Sequence, residues 1–561
     1  MKKLFFIIGE EKIKIFMFFV LTLFLVILET MSIAIILPII TFFFESNFSS
    51  TFGVLINNFL RSFIDLNNLN LIFTIFFIIF FSKNLIYLLV KWWIYNYSNN
   101  LIYKTEVKLI SGYISQNLSN IIETNSSIKL RNIKQETSGL VKYLNSYFSL
   151  IIEIIIVTSL VIFLLAISLK FTLILFFTLS IVSLTFFFLA KKIVYNWGKL
   201  RVFYNGKSLK VIIEIFNSIK EIKIFGEETF FKKKYKDFSK KLLNINTKFN
   251  TFNETPRLFA ELVIIFSLTL IVIIMSNLDF NKSEILSTVT LFSVVGIRIM
   301  PSTSKIINSF NSLKNCQPSL EVIFNELKEN EELIKFKEEK NYKFNKDIIF
   351  RDVSYKYTDK KDYIVRNIDL TIKKGETLFL GGDSGSGKTT FINLLMGLIN
   401  PSQGQILIDG KKNLEDNYNN LKIGYISQNT LLLDDTIKNN IVFGKENVNH
   451  FDNYKKAINI SGVNKLNEEI NFPDDMDIGE QGNKISGGQR QRIAIARSIY
   501  FDPEIYIFDE ATNELDEDSE LLIFKRLIST LKDKTFIFIS HNKKLSQLCD
   551  RTLIIKNQKI H

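Results

Sequence analysis

Six windows of this chain are apolar and long enough to cross about 30 Å of hydrocarbon, near residues 15–44, 70–93, 148–168, 171–192, 258–277 and 284–304. In lipid every backbone N–H and C=O must find its partner within the protein, so each window is expected as a helix. All six precede residue 305, and the remainder of the 561-residue chain reads as ordinary soluble α/β sequence. The expected fold class is therefore multi-domain. An all-α six-helix transmembrane domain at 1–324 is followed by a charged linker at 325–346 and an α/β domain at 347–561.

Seven Lys or Arg lie between the second and third windows (91–147) and sixteen between the fourth and fifth (191–257). The opposite loops hold three, Arg61, Lys170 and Lys282. The positive-inside rule then places both termini and both basic segments in the cytoplasm. Topology accounts for the net charge of +13, and no nucleic-acid partner is expected. Only "SLK" separates the third and fourth windows, which implies a tight helical hairpin. The basic stretches "KWWIYNYSNNLIYKTEVKLI" and "KKKYKDFSKKLLNINTKFN" look helical and lack proline, so helices should continue several turns beyond the bilayer. Nearby, "NIIETNSSIKLRNIKQE" (120–136) and "IIEIFNSIKEIKIFGEE" (212–228) are short and amphipathic; they are docking pieces for a soluble domain or plain helical turns. Cys316 and Cys549 have no metal-like or CxxC spacing, which implies a reduced compartment and no disulfide. The start "MKKLFFIIGEEKIKIF" is basic and then apolar, but "GEEKIK" interrupts it and no small-residue cleavage site follows, so no cleaved signal is expected.

The soluble half opens with "NIDLTIKKGETLFLGGDSGSGKTTFINLLMGL", a strand, a glycine-rich loop and an amphipathic helix. Its "GDSGSGKTT" spans Gly382, Asp383, Ser384, Gly385, Ser386, Gly387, Lys388, Thr389 and Thr390 and matches the phosphate-binding loop pattern. Glycines let backbone N–H groups face phosphates, Lys388 reaches the β and γ phosphates, and Thr389 supplies an oxygen to Mg²⁺. The expected ligands are ATP and Mg²⁺, which makes this an α/β P-loop nucleotide-binding domain. "IYIFDE" is a buried strand ending in two carboxylates, Asp509 for the Mg²⁺ shell and Glu510 as general base. "ISGGQRQR" puts Ser486, Gly487, Gly488 and Gln489 at another phosphate-facing helix start. His541 follows the strand of "TFIFISHN", where a γ-phosphate contact competes with a merely structural role; His450 and His561 keep the structural or surface reading.

Together these motifs resemble an ABC transporter half-molecule of the exporter type, six membrane helices fused to one ATP-binding domain, and the resemblance spans essentially the whole chain. The family's signature normally begins with Leu where this chain has Ile485. The resemblance implies adenine stacking for Tyr357 in "VSYKYTD", Mg²⁺ sensing for Gln428 in "IGYISQ", contact with a coupling helix for Glu480 in "DIGEQG", and communication between sites for Asp516 in "NELD". Asn513 and Glu514 depart from the small residues usual before "LD". The family sandwiches two ATP molecules between two such domains. It thus implies a homodimer with two competent sites, or a heterodimer with another chain, and an ATPase coupled to transport.

Lys83 lies inside the second window, where a charge costs roughly 2.5–3.5 kcal/mol on insertion scales. With Arg257 and Arg298 it is expected either to line a cavity that holds an anionic group or to pair internally with Glu29, Glu153 or Glu261. "ETMSIAIILPIITFF" and "RIMPSTSKIINSF" resemble the lipid-linked oligosaccharide flippases of bacterial protein N-glycosylation, the PglK type, with Lys83 where that group has arginine. Residues 45–69 would supply that group's short external helix. The implied function is ATP-driven flipping of a polyprenyl-pyrophosphate-linked oligosaccharide across a bacterial cytoplasmic membrane. The alternatives are export of lipid A-like lipids, peptides or drugs by the same fold, or a membrane regulator that binds ATP without hydrolysis.

Overall fold

A computed structural model describes residues 2–9, 12–36, 69–116, 118, 121, 125–334, 344–356, 362–383, 385–410, 412–413, 421–428, 430–445, 451–464, 475–511, 517–540 and 542–561. The segment 45–68, expected to hold an external helix, lies outside them. The chain divides into a helical unit, Met1–Gln116 with Ile121–Phe336, and an α/β unit at Lys337–His561.

Six helices of the first unit are long and apolar enough to span a membrane: Ile13–Ala34, Asn70–Ser115, Ser126–Ile167, Leu169–Leu189, Glu228–Asn277 and Lys282–Asn330. Each overlaps one of the expected windows, of which residues 37–44 of the first lie outside the described residues, and most overrun it by several turns. Helix Leu69–Ser115 has 47 residues and helix Glu228–Asn277 has 50, about twice the ~20 a bilayer requires. The hairpin after Ile167 is tighter than expected. Only Ser168 leaves the helical region (φ −151°, ψ 107°), and the helix resumes at Leu169. Residues 120–136 resolve into helix Ser126–Arg131, capped by the Asn125 side chain, and a π-helical turn at Asn132–Glu136. The piece near 212–228 is a separate helix, Ile219–Phe225, closed by left-handed Gly226.

The last helix runs from Lys282 to Ile334, ten residues into the segment read as linker. Its apolar positions explain this: Leu320, Ile323 and Leu327 repeat at helical spacing and are buried in the unit's core, while Glu321 and Glu326 between them are half-buried and accept from Tyr195 and Asn132. Aromatic rings bind the helices together near one membrane end. Phe18 lies 4.8 Å from Phe148 and 5.4 Å from Trp93, centroid to centroid. The outward face is apolar; Phe77 and Phe188 are each 70% exposed, as suits contact with lipid.

The α/β unit contains two sheets. Strands β1 (Asp347–Tyr355), β2 (Val365–Lys373), β4 (Gln403–Ile408) and β5 (Lys412–Asn413) form an antiparallel sheet in the order β2-β1-β4-β5. Strands β3 (Thr377–Gly382), β6 (Ile423–Ile426), β7 (Ile505–Asp509), β8 (Thr535–Ile539), β9 (Arg551–Lys556) and β10 (Lys559–Ile560) form a sheet ordered β10-β9-β3-β8-β7-β6. Its strands are parallel except β10, which pairs antiparallel with β9. Every residue of β7 and β8 is buried, the expected fate of an unbroken apolar run in a parallel sheet. Because β3, β8, β7 and β6 are neighbours pointing one way, their carboxyl ends lie along one edge, where open α/β sheets bind ligands.

Candidate functional site

The phosphate loop leaves β3 at Gly382 and enters helix Lys388–Leu395 at Gly387. Three of its glycines have positive φ: Gly382 (146°), Gly385 (78°) and Gly387 (105°). A Cβ on Gly382 would sit 2.7 Å from the Ile555 carbonyl oxygen, so both backbone conformation and space demand glycine there. No side chain caps the helix, which leaves its first N–H groups for an anion. The Lys388 ammonium folds back and donates to the carbonyls of Gly382 (2.7 Å) and Asp383 (3.3 Å), across the mouth of the loop. The Ser386 hydroxyl is buried without a hydrogen-bond partner among the described residues. Thr389 is exposed in the first turn and Thr390 is buried beneath it. An uncapped helix start, a lone ammonium and an unpartnered hydroxyl fit a nucleotide's phosphates.

Two strands along the sheet, β7 delivers the carboxylates. The Tyr425 hydroxyl donates to Asp509 Oδ2 at 2.9 Å. Tyr425 is in register with Ile507, and Ile507 and Asp509 share a face of β7, which brings the two side chains together. Burial holds the Asp509 carboxyl above the usual carboxylate range; the Tyr425 hydrogen bond lowers it, the Glu510 charge raises it and Lys388 lowers it. Glu510 turns out of the strand with φ 50°, its N–H on the Ile539 carbonyl (2.9 Å), and its Oε2 accepts from Gln428 Nε2 at 2.8 Å. A left-handed non-glycine residue costs on the order of 1–3 kcal/mol and is typical of functional positions. The oxygens of Thr389, Asp509 and Gln428 are the donor set that a hard cation such as Mg²⁺ takes. Among the described residues no cluster of three His, Cys, Asp or Glu could hold a metal ion.

Ser486 caps helix Gly487–Tyr500. Its hydroxyl accepts from Gln489 N (3.3 Å), and its own N–H donates to Gln489 Oε1 (2.8 Å), a reciprocal capping box. Ile485 is buried in the core while Ser486 is exposed beside it, so the substitution for Leu is a packing matter. Ser486, Gly487, Gly488 and Gln489 stand apart from the phosphate loop, and among the described residues no hydrogen bond joins them to it. Glu480 is exposed in the turn Glu480–Gly482. Tyr357, Ser384, Asp516 and His541, with His450, Asn513 and Glu514, lie outside the described residues. Tyr425 was missed by sequence reading, although its place on the strand leading to Gln428 was the available signal.

In the helical unit, the internal pairing that the sequence offered as one alternative is formed by Lys83 and Arg298. Glu29, 2% exposed, takes Arg298 Nε on one carboxylate oxygen and Lys83 Nζ on the other, at 3.4 Å. Lys83 also sits 3.9 Å from the centroid of the Phe80 ring. A carboxylate buried as Glu29 is within a spanning helix is costly unless paired, so it draws the two cations to itself. Arg257 is exposed and does not join them, and Glu261, one turn on, makes no ion pair among the described residues. Glu153 is also buried and binds Lys305, which sequence reading passed over, at 3.0 Å; Lys305 donates as well to the Tyr87 hydroxyl.

Comparison with known proteins shows what the chain is similar to. Residues 365–513 match the family model described as ABC transporter. The chain is 30% identical over 359 residues to the heterocyst differentiation ATP-binding protein HepA of Nostoc sp., covering 64% of this chain and 58% of HepA. It is 37% identical over 219 residues to the ATP-dependent lipid A-core flippase of Desulfotalea psychrophila, covering 39% and 38% of the two chains. It is 36% identical over 218 residues to the alpha-hemolysin translocation ATP-binding protein HlyB of Escherichia coli, covering 38% and 31%. The chain thus spans less than two thirds of the length of these relatives. A solved bacterial Atm1-family ABC exporter with ATP bound superposes with a TM-score of 0.81 at 18% identity, over 97% of this chain and 95% of that one. The chain has the fold of an ABC exporter half-molecule, with an ABC transporter domain at residues 365–513.

Proposed function

We propose that two copies of this chain form an ATP-driven translocase in a bacterial cytoplasmic membrane, and that its cargo is a polyprenyl-pyrophosphate-linked oligosaccharide. The observation that carries ATP hydrolysis is the carboxylate pair at the end of β7, with Glu510 held by Gln428 and Asp509 buried within the influence of Lys388. In this reading Lys388 binds phosphate, Asp509, Thr389 and Gln428 hold Mg²⁺, Glu510 accepts the proton of the attacking water, and His541 meets the γ-phosphate. Mg²⁺ supplies charge neutralisation between the phosphates. Each chain carries one phosphate loop and one separate Ser486 helix start, which supports a dimer in which each copy completes the other's site. Tyr357 would stack on adenine, and Glu480 and Asp516 would carry the coupling to transport.

Replacing Lys388 by Met should weaken nucleotide binding by at least about tenfold, the scale of a lost charge-assisted hydrogen bond, as read by titration of a fluorescent ATP analogue. Unchanged affinity would remove Lys388 from the site.

The cargo assignment rests on the charge left over in the helical unit. Among the described residues Lys83 and Arg298 share the carboxylate of Glu29, and the positive charge in excess of it suits a lipid diphosphate. The matches to lipid A-core flippases and HlyB are about as long as the α/β unit alone, so they bear on ATP use and leave cargo open. In proteoliposomes, ATP should drive a short-chain polyprenyl-diphosphate oligosaccharide across the bilayer. ATP-dependent movement of a lipid A analogue in its place would overturn the assignment.

A further inference from the structure

Just beyond the expected membrane ends of its helices, the helical unit carries an open cavity of about 680 Å³. Tyr95 follows the second window by two residues, Ser146 precedes the third by two, and Asn205, Asn250 and Asn315 belong to the helical extensions of the fourth, fifth and sixth. All of these lie on the side of the bilayer that carries the two basic segments.

The wall is polar to a degree that helix packing does not require. Six side-chain amides line it, Gln135, Asn145, Asn205, Asn246, Asn250 and Asn315, together with the rings of Tyr95 and Phe249. Lys142 and Arg201 supply positive charge, and no Asp or Glu lines it. Lys134 is also in the wall but already pairs with Glu106 at 3.3 Å. Arg201 is anchored by Nη2 on the Ser319 hydroxyl (2.9 Å), which in turn donates to Glu136 (2.6 Å). Among the described residues its Nε has no acceptor and Asn145 Oδ1 no donor, and both atoms are buried in the wall behind the cavity surface.

This chemistry selects its occupant. Acyl chains and apolar drugs would strand the amides, and an acid group would gain from the positive charge of Lys142 and Arg201. Amides that exchange hydrogen bonds with hydroxyls, rings that pack on sugar faces, and cations for an acid group together describe an acidic carbohydrate. The volume falls within the roughly 300–1,000 Å³ of small-molecule sites. We propose that this cavity binds an anionic carbohydrate head group, a sugar acid or sugar phosphate. This deepens the translocase reading by giving the cargo's glycan an acid group, and it rests on that reading only for the purpose of binding.

The test is calorimetric titration of the purified full-length chain in nanodiscs, without nucleotide. The probes are a glucuronate-containing disaccharide, glucose 1-phosphate, neutral chitobiose and inorganic phosphate. The two acidic sugars should bind at least about tenfold more tightly than chitobiose, and Lys142→Met and Arg201→Gln should each remove most of that preference. Lys142 is exposed, so its variant tests the site even where Arg201→Gln fails to fold. Equal binding of acidic and neutral sugars, full selectivity in Lys142→Met, or inorganic phosphate binding as tightly as the acidic disaccharide would each overturn the proposal. If glycolipid flipping succeeds while no acidic sugar binds, the cavity proposal fails alone. If the sugars bind selectively and flipping fails, the translocase reading fails alone.

Discussion

Replacing Glu510 by glutamine is expected to leave ATP binding intact while slowing hydrolysis about 10²–10⁴-fold, the usual contribution of a positioned general base. The amide has the shape of the carboxylate and can still accept from Gln428, so the loop geometry should persist. What disappears is the basic oxygen beside Asp509, held in place by a left-handed backbone that is itself tied to the Ile539 carbonyl. Phosphate release measured alongside nucleotide affinity checks both halves of the expectation. ATP should also hold the variant as a dimer on size exclusion, because hydrolysis no longer opens the closed pair. Hydrolysis at the wild-type rate would take Glu510 out of its assigned role and leave the non-hydrolysing regulator as the better reading.

The second large effect belongs to Glu29. Its replacement by glutamine leaves Lys83 and Arg298 facing each other within the spanning helices, and breaking a buried pair from one side typically costs about 3–5 kcal/mol. Folded yield and thermal midpoint in detergent should fall, and adding both Lys83→Met and Arg298→Gln to Glu29→Gln should restore them. Lys83→Met alone should be mild, because Arg298 remains on the carboxylate. That asymmetry separates structure from cargo: if Lys83→Met is stable, hydrolyses ATP at the basal rate and flips the diphosphate lipid poorly, the excess charge serves the substrate. If Glu29→Gln is as stable as the wild type, the ion pair does not hold the helices together.

The six spans, the phosphate loop and the soluble α/β half were legible in the sequence because each depends on local rules. A window of apolar residues must become a helix in lipid wherever it is placed, and glycines at Gly382, Gly385 and Gly387 specify a loop through their own backbone freedom. Three other features came only with the tertiary structure. Glu29 meets Arg298 across 269 positions of chain, Tyr425 meets Asp509 across 84, and the helix that begins at Lys282 continues through a charged segment because Leu320, Ile323 and Leu327 find a core to enter. The sequence offered Glu29, Glu153 and Glu261 as equal partners for the intramembrane cations. The choice among them depends on how each helix is rotated about its axis and which face its neighbour presents, and no periodicity within a single helix determines that rotation.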